Sequence, residues 1–286
     1  MDDWQKAGEI AAKAREYSKE LVKEGVLALE IAEKIEDKIV ELGGKPAFPV
    51  SIAINHVAAH YAPQIGDMTK IAKGDLVKVD LGCHINGCIA DTSITIEVNS
   101  NKNKDLIKAA EAALDEAVKY ATPGRKIGEI GRAIHDVISS YGFSSVKNLS
   151  GHGLSEYIVH HGITIPNYDN NDSKKLEEGM KIAIEPFATD GKGLVIESKQ
   201  SGIYSIDNIR PTRNFEARKL LMKIHEDYMT LPFSVRWLDF KNVNFLIRLL
   251  ERDGILRSHP VLVEESHGLV SQAEHTIEVG KGVTTI

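Results

Sequence analysis

Two stretches of the sequence resemble each other and indicate how the chain is built. Residues 73–80 read KGDLVKVD, and residues 178–185 read EGMKIAIE. Each starts with a charged residue and a glycine, continues through apolar positions typical of a β-strand, and ends in a carboxylate. The repeat predicts two related halves, each with an acidic residue at the end of an apolar strand.

A pair of helices precedes each of these stretches. Apolar residues recur at helical spacing from Trp4 to Gly43, which predicts the first pair. The second pair is predicted over 103–121 and 127–141. Antiparallel strands are predicted over 51–61, 74–82 and 89–98. The order of helix, helix and strands therefore occurs twice, and we predict an α+β fold with a pseudo-twofold repeat.

Residues 192–268 differ in character from both halves. They predict helices over 216–228 and 243–253 and a short ribbon over 256–263, after which strand patterning resumes at 271–279. We therefore predict a catalytic domain of residues 1–191 and 269–286, with an inserted helical subdomain of residues 192–268.

The order of helix, helix and ribbon is also that of winged-helix DNA-binding proteins. The cations of the inserted segment are Arg236, Lys241, Arg248, Arg252 and Arg257. They are interleaved with Asp239, Glu251 and Asp253, so a subdomain that only lines the site is the preferred interpretation over one that binds DNA.

The composition excludes several classes of protein. The 286 residues carry a net charge of −6 and are 42% hydrophobic, which is typical of a globular protein and argues against a general electrostatic grip on nucleic acid or anionic membranes. The apolar runs are too short to cross a bilayer. The acidic N-terminus does not resemble a secretory signal, and Cys83 and Cys88 suit a reducing compartment, so we expect a cytoplasmic protein.

Four acidic residues lie in largely apolar surroundings. They are Asp80, Asp91, Glu185 and Glu274. A carboxylate in an apolar core requires a cation, hydrogen-bond donors or a metal ion. The motif Gly151-His152-Gly153 adds an imidazole on a backbone that can approach another group closely. Four carboxylates and one imidazole can hold two divalent cations, with at least one carboxylate bridging ions about 3.5 to 4 Å apart.

Five separated motifs carry a resemblance to a known family. They are Val79-Asp80-Leu81-Gly82, Ala90-Asp91-Thr92, Gly151-His152-Gly153, Ile184-Glu185-Pro186 and Gln272-Ala273-Glu274-His275-Thr276. In their order and spacing the chain resembles the methionine aminopeptidases of the pita-bread fold. The long segment before Glu274 resembles the helical subdomain of the type II enzymes, and the short N-terminus resembles their archaeal form.

The resemblance implies an aminopeptidase that hydrolytically removes the initiator methionine from nascent proteins and prefers a small second residue. It also implies metal ligation by Asp80, Asp91, His152, Glu185 and Glu274, with Asp91 and Glu274 bridging two divalent ions and a metal-activated bridging water as nucleophile. Oxygen ligands with one imidazole and no thiolate suit Mn, Fe or Co and tolerate Zn, and the sequence leaves the identity of the metal open.

Two histidines match the family's substrate-facing positions. The resemblance implies that His60 forms a hydrogen bond with the scissile amide nitrogen or its carbonyl, and that His160 helps to hold the tetrahedral oxyanion. Both are therefore expected to be catalytic and substrate-binding. Phe48 is expected in the pocket for the methionine side chain, whereas His56 and His161 have no such match and are expected to be structural.

The expected partners are the N-termini of nascent polypeptides near the ribosome, with no specific nucleic acid and no membrane, and the chain is expected to be a monomer. One alternative is a pita-bread protein that has lost its metals and binds RNA or ribosomes, but a metal-free descendant has no reason to keep four buried carboxylates. Another is a prolidase or proline aminopeptidase, but those carry an additional N-terminal domain.

Overall fold

The computed structural model describes residues 2–286. The α-helices are α1 (Asp3–Leu21), α2 (Ala28–Glu41), α3 (Lys104–Tyr120), α4 (Ile127–Ser140), α5 (Phe215–Tyr228) and α6 (Val243–Arg252). The strands are β1 (Lys45–Ile54), β2 (Val57–Ala59), β3 (Leu76–Ile85), β4 (Cys88–Glu97), β5 (Ser144–Ser145), β6 (Ser150–Ser155), β7 (Ile158–Pro166), β8 (Lys181–Ile184), β9 (Phe187–Thr189), β10 (Val195–Ile206), β11 (Phe233–Ser234), β12 (Leu256–Glu264), β13 (Val270–Gln272), β14 (His275–Glu278) and β15 (Gly282–Val283).

The first half packs α1 and α2 on the antiparallel sheet β1-β3-β4. Helix α2 places Ile31, Ile35 and Ile39 on one face, and all three are fully buried against the sheet. After α2 ends, Gly43 takes a φ of 91°, a left-handed conformation that glycine adopts without strain. The predicted helix pair and the β3–β4 hairpin are confirmed.

The first strand differs from the prediction of 51–61. It begins at Lys45 and contains Pro46 and Pro49, with irregular pairing to β3 on either side of Phe48. Proline lacks the N–H that a regular ladder requires, so these irregularities accommodate it. The strand then breaks at Asn55, whose φ of 54° starts the turn into β2.

The second half repeats the plan, with α3 and α4 beside the sheet β15-β14-β8-β6-β7. The prediction that an acid ends a strand in each half is correct only here, because Glu185 directly follows β8. Asp80 instead lies in the middle of β3, which continues to Ile85. The predicted α+β class, with helices and antiparallel strands in the same order in both halves, is nevertheless confirmed.

Residues 192–268 form more sheet than the sequence predicted. The long strand β10 was not predicted, and β12, predicted as a short ribbon, pairs with β10 on one side and with β2 on the other. Helices α5 and α6 share an apolar core with Phe233. Strand β12 thus connects this segment to the first half beside His60.

Within residues 2–286, the helices are all too short or too polar to cross a lipid bilayer.

Candidate metal centre

The two halves bring the five predicted ligands to the floor of one cavity. Asp80 and Asp91 lie on β3 and β4, His152 lies on β6, and Glu185 and Glu274 flank β8 and β14. The halves are joined directly beneath the acids. Thr276 Oγ1 accepts a hydrogen bond from Asp91 N (2.7 Å) and donates one to Asp91 O (2.9 Å), and Glu274 pairs with Ser93.

His152 lies between carboxylates from both halves. Its Nε2 is 3.6 Å from Asp91 Oδ2 and 3.6 Å from Glu185 Oε1. Burial and the neighbouring His160 lower the pKa of His152 to about 3, so its imidazole is neutral. Its Nδ1 donates to Gly153 O (3.2 Å), which leaves the lone pair of Nε2 facing the carboxylates. This is the orientation that a metal-binding imidazole requires.

The carboxylates lack enough donors in the protein to be stable as anions. Burial, and then repulsion from Asp80, raises the pKa of Asp91 well above its usual value, and burial followed by repulsion from neighbouring acids does the same for Glu185 and Glu274. Burial also raises the pKa of Asp80 to about 7. A divalent cation at this position would reverse these shifts by favouring the charged forms.

Buried oxygens without hydrogen bonds indicate that such a cation fits. Within residues 2–286, Asp80 Oδ1, Asp91 Oδ1 and Glu274 Oε2 are buried and have no hydrogen-bond partner. Ligand atoms of Asp91, His152 and Glu274 lie within 4.8 Å of one another. Unpaired buried carboxylate oxygens are costly, and a hard divalent ion is the partner that oxygen ligands of this kind accept.

Gln272 is a polar neighbour of the predicted ligands, and no role for it follows from the sequence. Its Nε2 lies 3.3 Å from Glu185 Oε2 and 3.5 Å from Asp80 Oδ2, so one amide contacts an acid from each half. The motif around Glu274 contributes to the family resemblance, but only the three-dimensional structure shows that its Gln272 side chain contacts the other acids.

The cavity above the acids has a volume of about 460 Å³ and contains the predicted substrate-facing residues. Phe48, His60 and His160 all line it, and the rings of His160 and His152 are 4.3 Å apart. Phe48 packs so closely on Gly82 that a Cβ there would lie 2.3 Å from the ring. The glycine after the Val79-Asp80-Leu81 motif therefore makes room for the aromatic wall.

His60 is held in an unusual conformation. Its φ of 63° lies in the left-handed region, which is uncommon for a non-glycine residue and is one of the strained conformations that cluster at functional sites. Burial lowers the pKa of His60, so the ring is neutral, and its Nδ1 donates to Pro260 O on β12 (3.2 Å). The remaining nitrogen, Nε2, is therefore a hydrogen-bond acceptor.

Other cavity residues come from the inserted segment, which the sequence predicts to line the site without showing which residues do so. Ile203, Pro232 and His259 line it from within residues 192–268, and His259 Nε2 lies 2.9 Å from Ser205 Oγ. His161, expected to be structural, also lines the cavity. His56 instead packs edge-on against the ring of His267, 4.8 Å away.

The site combines a neutral imidazole with unpaired buried carboxylates at the floor of a cavity between two repeated halves. This arrangement is typical of a metal-dependent hydrolase. The chain belongs to metallopeptidase family M24, whose model matches residues 2–239. It is 48% identical to the methionine aminopeptidase of Pyrococcus abyssi over 98% of this chain and 97% of that protein. Membership of this family implies a divalent metal ion.

Two solved structures agree with this chain in fold. The methionine aminopeptidase of Thermotoga maritima has a TM-score of 0.71 at 20% identity, and the match covers 98% of this chain and 94% of that one. A thermophilic Arx1 has a TM-score of 0.86 at 17% identity, with 98% and 88% covered. At these identities the similarity concerns the fold alone.

Proposed function

We propose that this chain hydrolytically removes the N-terminal methionine from proteins, with Asp80, Asp91, His152, Glu185 and Glu274 holding two divalent metal ions. The observation that carries the proposal is the set of unpaired, buried carboxylate oxygens around the neutral His152 at the floor of the cavity. The identity of 48% with a methionine aminopeptidase supports the same substrate. Asp91 and Glu274 would bridge the ions.

Divalent ions supply Lewis acidity, which lowers the pKa of bound water and polarises a carbonyl. The chain itself supplies the surroundings of the substrate. The neutral His60 accepts a hydrogen bond from the scissile amide N–H through Nε2, because its Nδ1 proton is engaged by Pro260 O. His160, beside His152, stabilises negative charge that develops on the carbonyl oxygen.

The apolar wall of the cavity would select the side chain. The aromatic edge of Phe48 offers a favourable contact to a thioether sulfur, which distinguishes methionine from other flexible apolar side chains. A small second residue is the preference that the family resemblance implies, since a bulkier one would need room beyond the reacting bond.

The test is mass spectrometry of the peptide Met-Ala-Ser incubated with the protein in Mn²⁺ and in EDTA. Free methionine should appear only with Mn²⁺. Met-Leu-Ser should be cleaved much more slowly, and the dipeptide Leu-Pro should remain intact. Cleavage of Leu-Pro in preference to Met-Ala-Ser would instead indicate a prolidase activity, and equal release in EDTA would exclude the metal mechanism.

A cytoplasmic location, action near the ribosome and a monomeric state stay predictions. Analytical ultracentrifugation tests the monomer, and co-sedimentation with ribosomes tests the contact.

A further inference from the structure

One buried ion pair lies outside the metal centre and is not used by the proposed chemistry. Glu36 on α2 is 6% exposed, and both its oxygens accept hydrogen bonds from Arg236, one of them at 2.6 Å. Glu36 also accepts from Val50 N (3.1 Å) and Trp237 Nε1 (2.9 Å). Arg236 Nε donates to Pro63 O (3.0 Å). The pair joins the first half of the chain to the segment 192–268.

A buried ion pair of this kind adds little to the free energy of unfolding. Removing both charges from water costs about as much as their attraction returns, and an apolar pair of similar volume often stabilises a protein as well or better. A bidentate guanidinium–carboxylate contact does fix distance and orientation, since both planar groups must align. The buried location therefore suggests a positioning role.

The pair contacts one end of residues 230–237, which we call the wall segment. Thr230 Oγ1 donates to Tyr157 O at one end, and Arg236 and Trp237 bind Glu36 at the other. Between these anchors Pro232 lines the substrate cavity. Leu231 is 2% exposed and packs in the apolar cluster that contains Phe48.

We propose that Glu36, together with Arg236, is a positioning residue that holds the wall segment so that Pro232 closes the substrate cavity. Neither side chain lines the cavity, so the pair acts on the cavity through Pro232 of the wall segment. The role in substrate selection rests on the proposed function, whereas the mechanical restraint of the wall segment does not. Loss of the pair should loosen the fit of the substrate and leave the metal centre intact.

The decisive variant is the double substitution Glu36→Gln/Arg236→Met. A single substitution leaves a buried charge unpaired and could prevent folding, whereas the double variant removes both charges and keeps an oxygen to accept from Val50 N. The control is Lys223→Met/Asp227→Leu, an exposed ion pair on α5 within the same segment.

Three measurements separate positioning from a merely structural role. For the double variant we expect KM for Met-Ala-Ser in Mn²⁺ to rise about tenfold while kcat changes less than about twofold, because the wall contacts substrate but not the reacting bond. Calorimetric affinity for Mn²⁺ should be unchanged. Hydrogen exchange at residues 230–237 should be faster, and the control should match the wild type in every respect.

A wild-type KM in a folded double variant, or unchanged exchange in the wall segment, would overturn the inference. So would a fall in Mn²⁺ affinity, which would make the pair part of the support of the metal centre. If the wild-type protein fails to cleave Met-Ala-Ser, the proposed function is wrong, and with it the role in substrate selection. The rate of hydrogen exchange at residues 230–237 then still tests whether the ion pair restrains the wall segment.

Discussion

Asp91 is 3% exposed and shares the cavity floor with three other acids. Burial and Asp80 raise its pKa, so in the metal-free protein its charge is unfavourable. We expect Asp91→Asn to stabilise the metal-free protein by about 1 to 3 kcal/mol. The amide is neutral, so folding no longer has to bury a carboxylate charge or take up a proton at this position. The same substitution should lower Mn²⁺ affinity more than about 100-fold.

Urea denaturation in EDTA and calorimetric titration with Mn²⁺ measure the two effects. Asp115→Asn, which removes an exposed acid from α3, controls for the change in net charge. Two tightly bound ions in Asp91→Asn would show that Asp91 is not a ligand.

A substitution of His60 tests a group that is proposed to contact the substrate but not the metal. Because His60 lines the cavity and its Nε2 is an acceptor, His60→Ala should raise the activation barrier by roughly 2 to 4 kcal/mol, the usual scale for one lost catalytic hydrogen bond. Steady-state kinetics with Met-Ala-Ser measure the change in kcat, and elemental analysis should find the metal content of the wild type. His56→Ala, at a histidine outside the cavity lining, should leave kcat unchanged. Loss of metal from His60→Ala would contradict the assigned role.

At the scale of elements, the pairing of β6 with β8 sets the distance between His152 and Glu185. A Cβ at Gly151 would lie 2.2 Å from Ala183 O, so an alanine there must push the two strands apart. We expect Gly151→Ala to lower the free energy of unfolding by about 2 to 4 kcal/mol. Mn²⁺ affinity should fall at least about tenfold, because His152 lies on β6, Glu185 directly follows β8, and both are proposed ligands.

Gly179→Ala is the matched control for this strand pair. Gly179 precedes β8 with a φ of 81° and has no atom within 4 Å of its would-be Cβ. Alanine there should cost only about 1 to 2 kcal/mol of backbone strain and leave Mn²⁺ affinity unchanged. Equal losses of affinity in both variants would show that general destabilisation, not strand separation, weakens the site.

Strand prediction succeeded where apolar residues marked the strand, and it missed strands that are rich in polar residues or glycine. The β3–β4 hairpin and Glu185 after β8 could be predicted, because each lies in or beside a clear apolar stretch. Strands β6 and β7 could not, since β6 contains Gly151, His152 and Gly153, which local propensity assigns to a loop. Tertiary pairing on both sides stabilises β6 despite its glycines.

For the molecule as a whole, the five residues that the sequence predicts as metal ligands lie together in one cavity, whereas much of the structure around them was not predicted. The proposed ligands come from motifs that can be recognised locally, whereas contacts such as Glu36 with Arg236 join residues 200 positions apart, which no local pattern reveals. Arg236 was counted among cations that could face nucleic acid, and its buried pairing removes it from the surface. We propose that residues 192–268 act as a subdomain that completes the cavity, since three of its residues line it.

The stability of the whole chain should depend on a histidine at the tip of the first hairpin. His84 is 7% exposed, and its Nδ1 accepts from Gly87 N (3.2 Å). Gly87 O in turn accepts from Tyr157 N, which links the two halves. Burial, with a smaller effect of Lys45, lowers the pKa of His84 to about 4 from its usual value of 6.5.

Because the folded pKa lies below the unfolded one, the unfolded chain binds more protons between pH 6.5 and 4, and stability falls as the pH decreases through this range. His84→Asn keeps an oxygen near the position of Nδ1 but cannot titrate. Measured by urea denaturation in EDTA, the wild type should lose about 1 to 3 kcal/mol more than His84→Asn between pH 7 and pH 4. The acids of the metal centre titrate in both proteins and cancel in this difference. If stability depends on pH in the same way in both proteins, the pKa of His84 is not lowered by folding. Its ring would then be protonated in the folded protein at low pH, and its contact with Gly87 N would break without loss of stability.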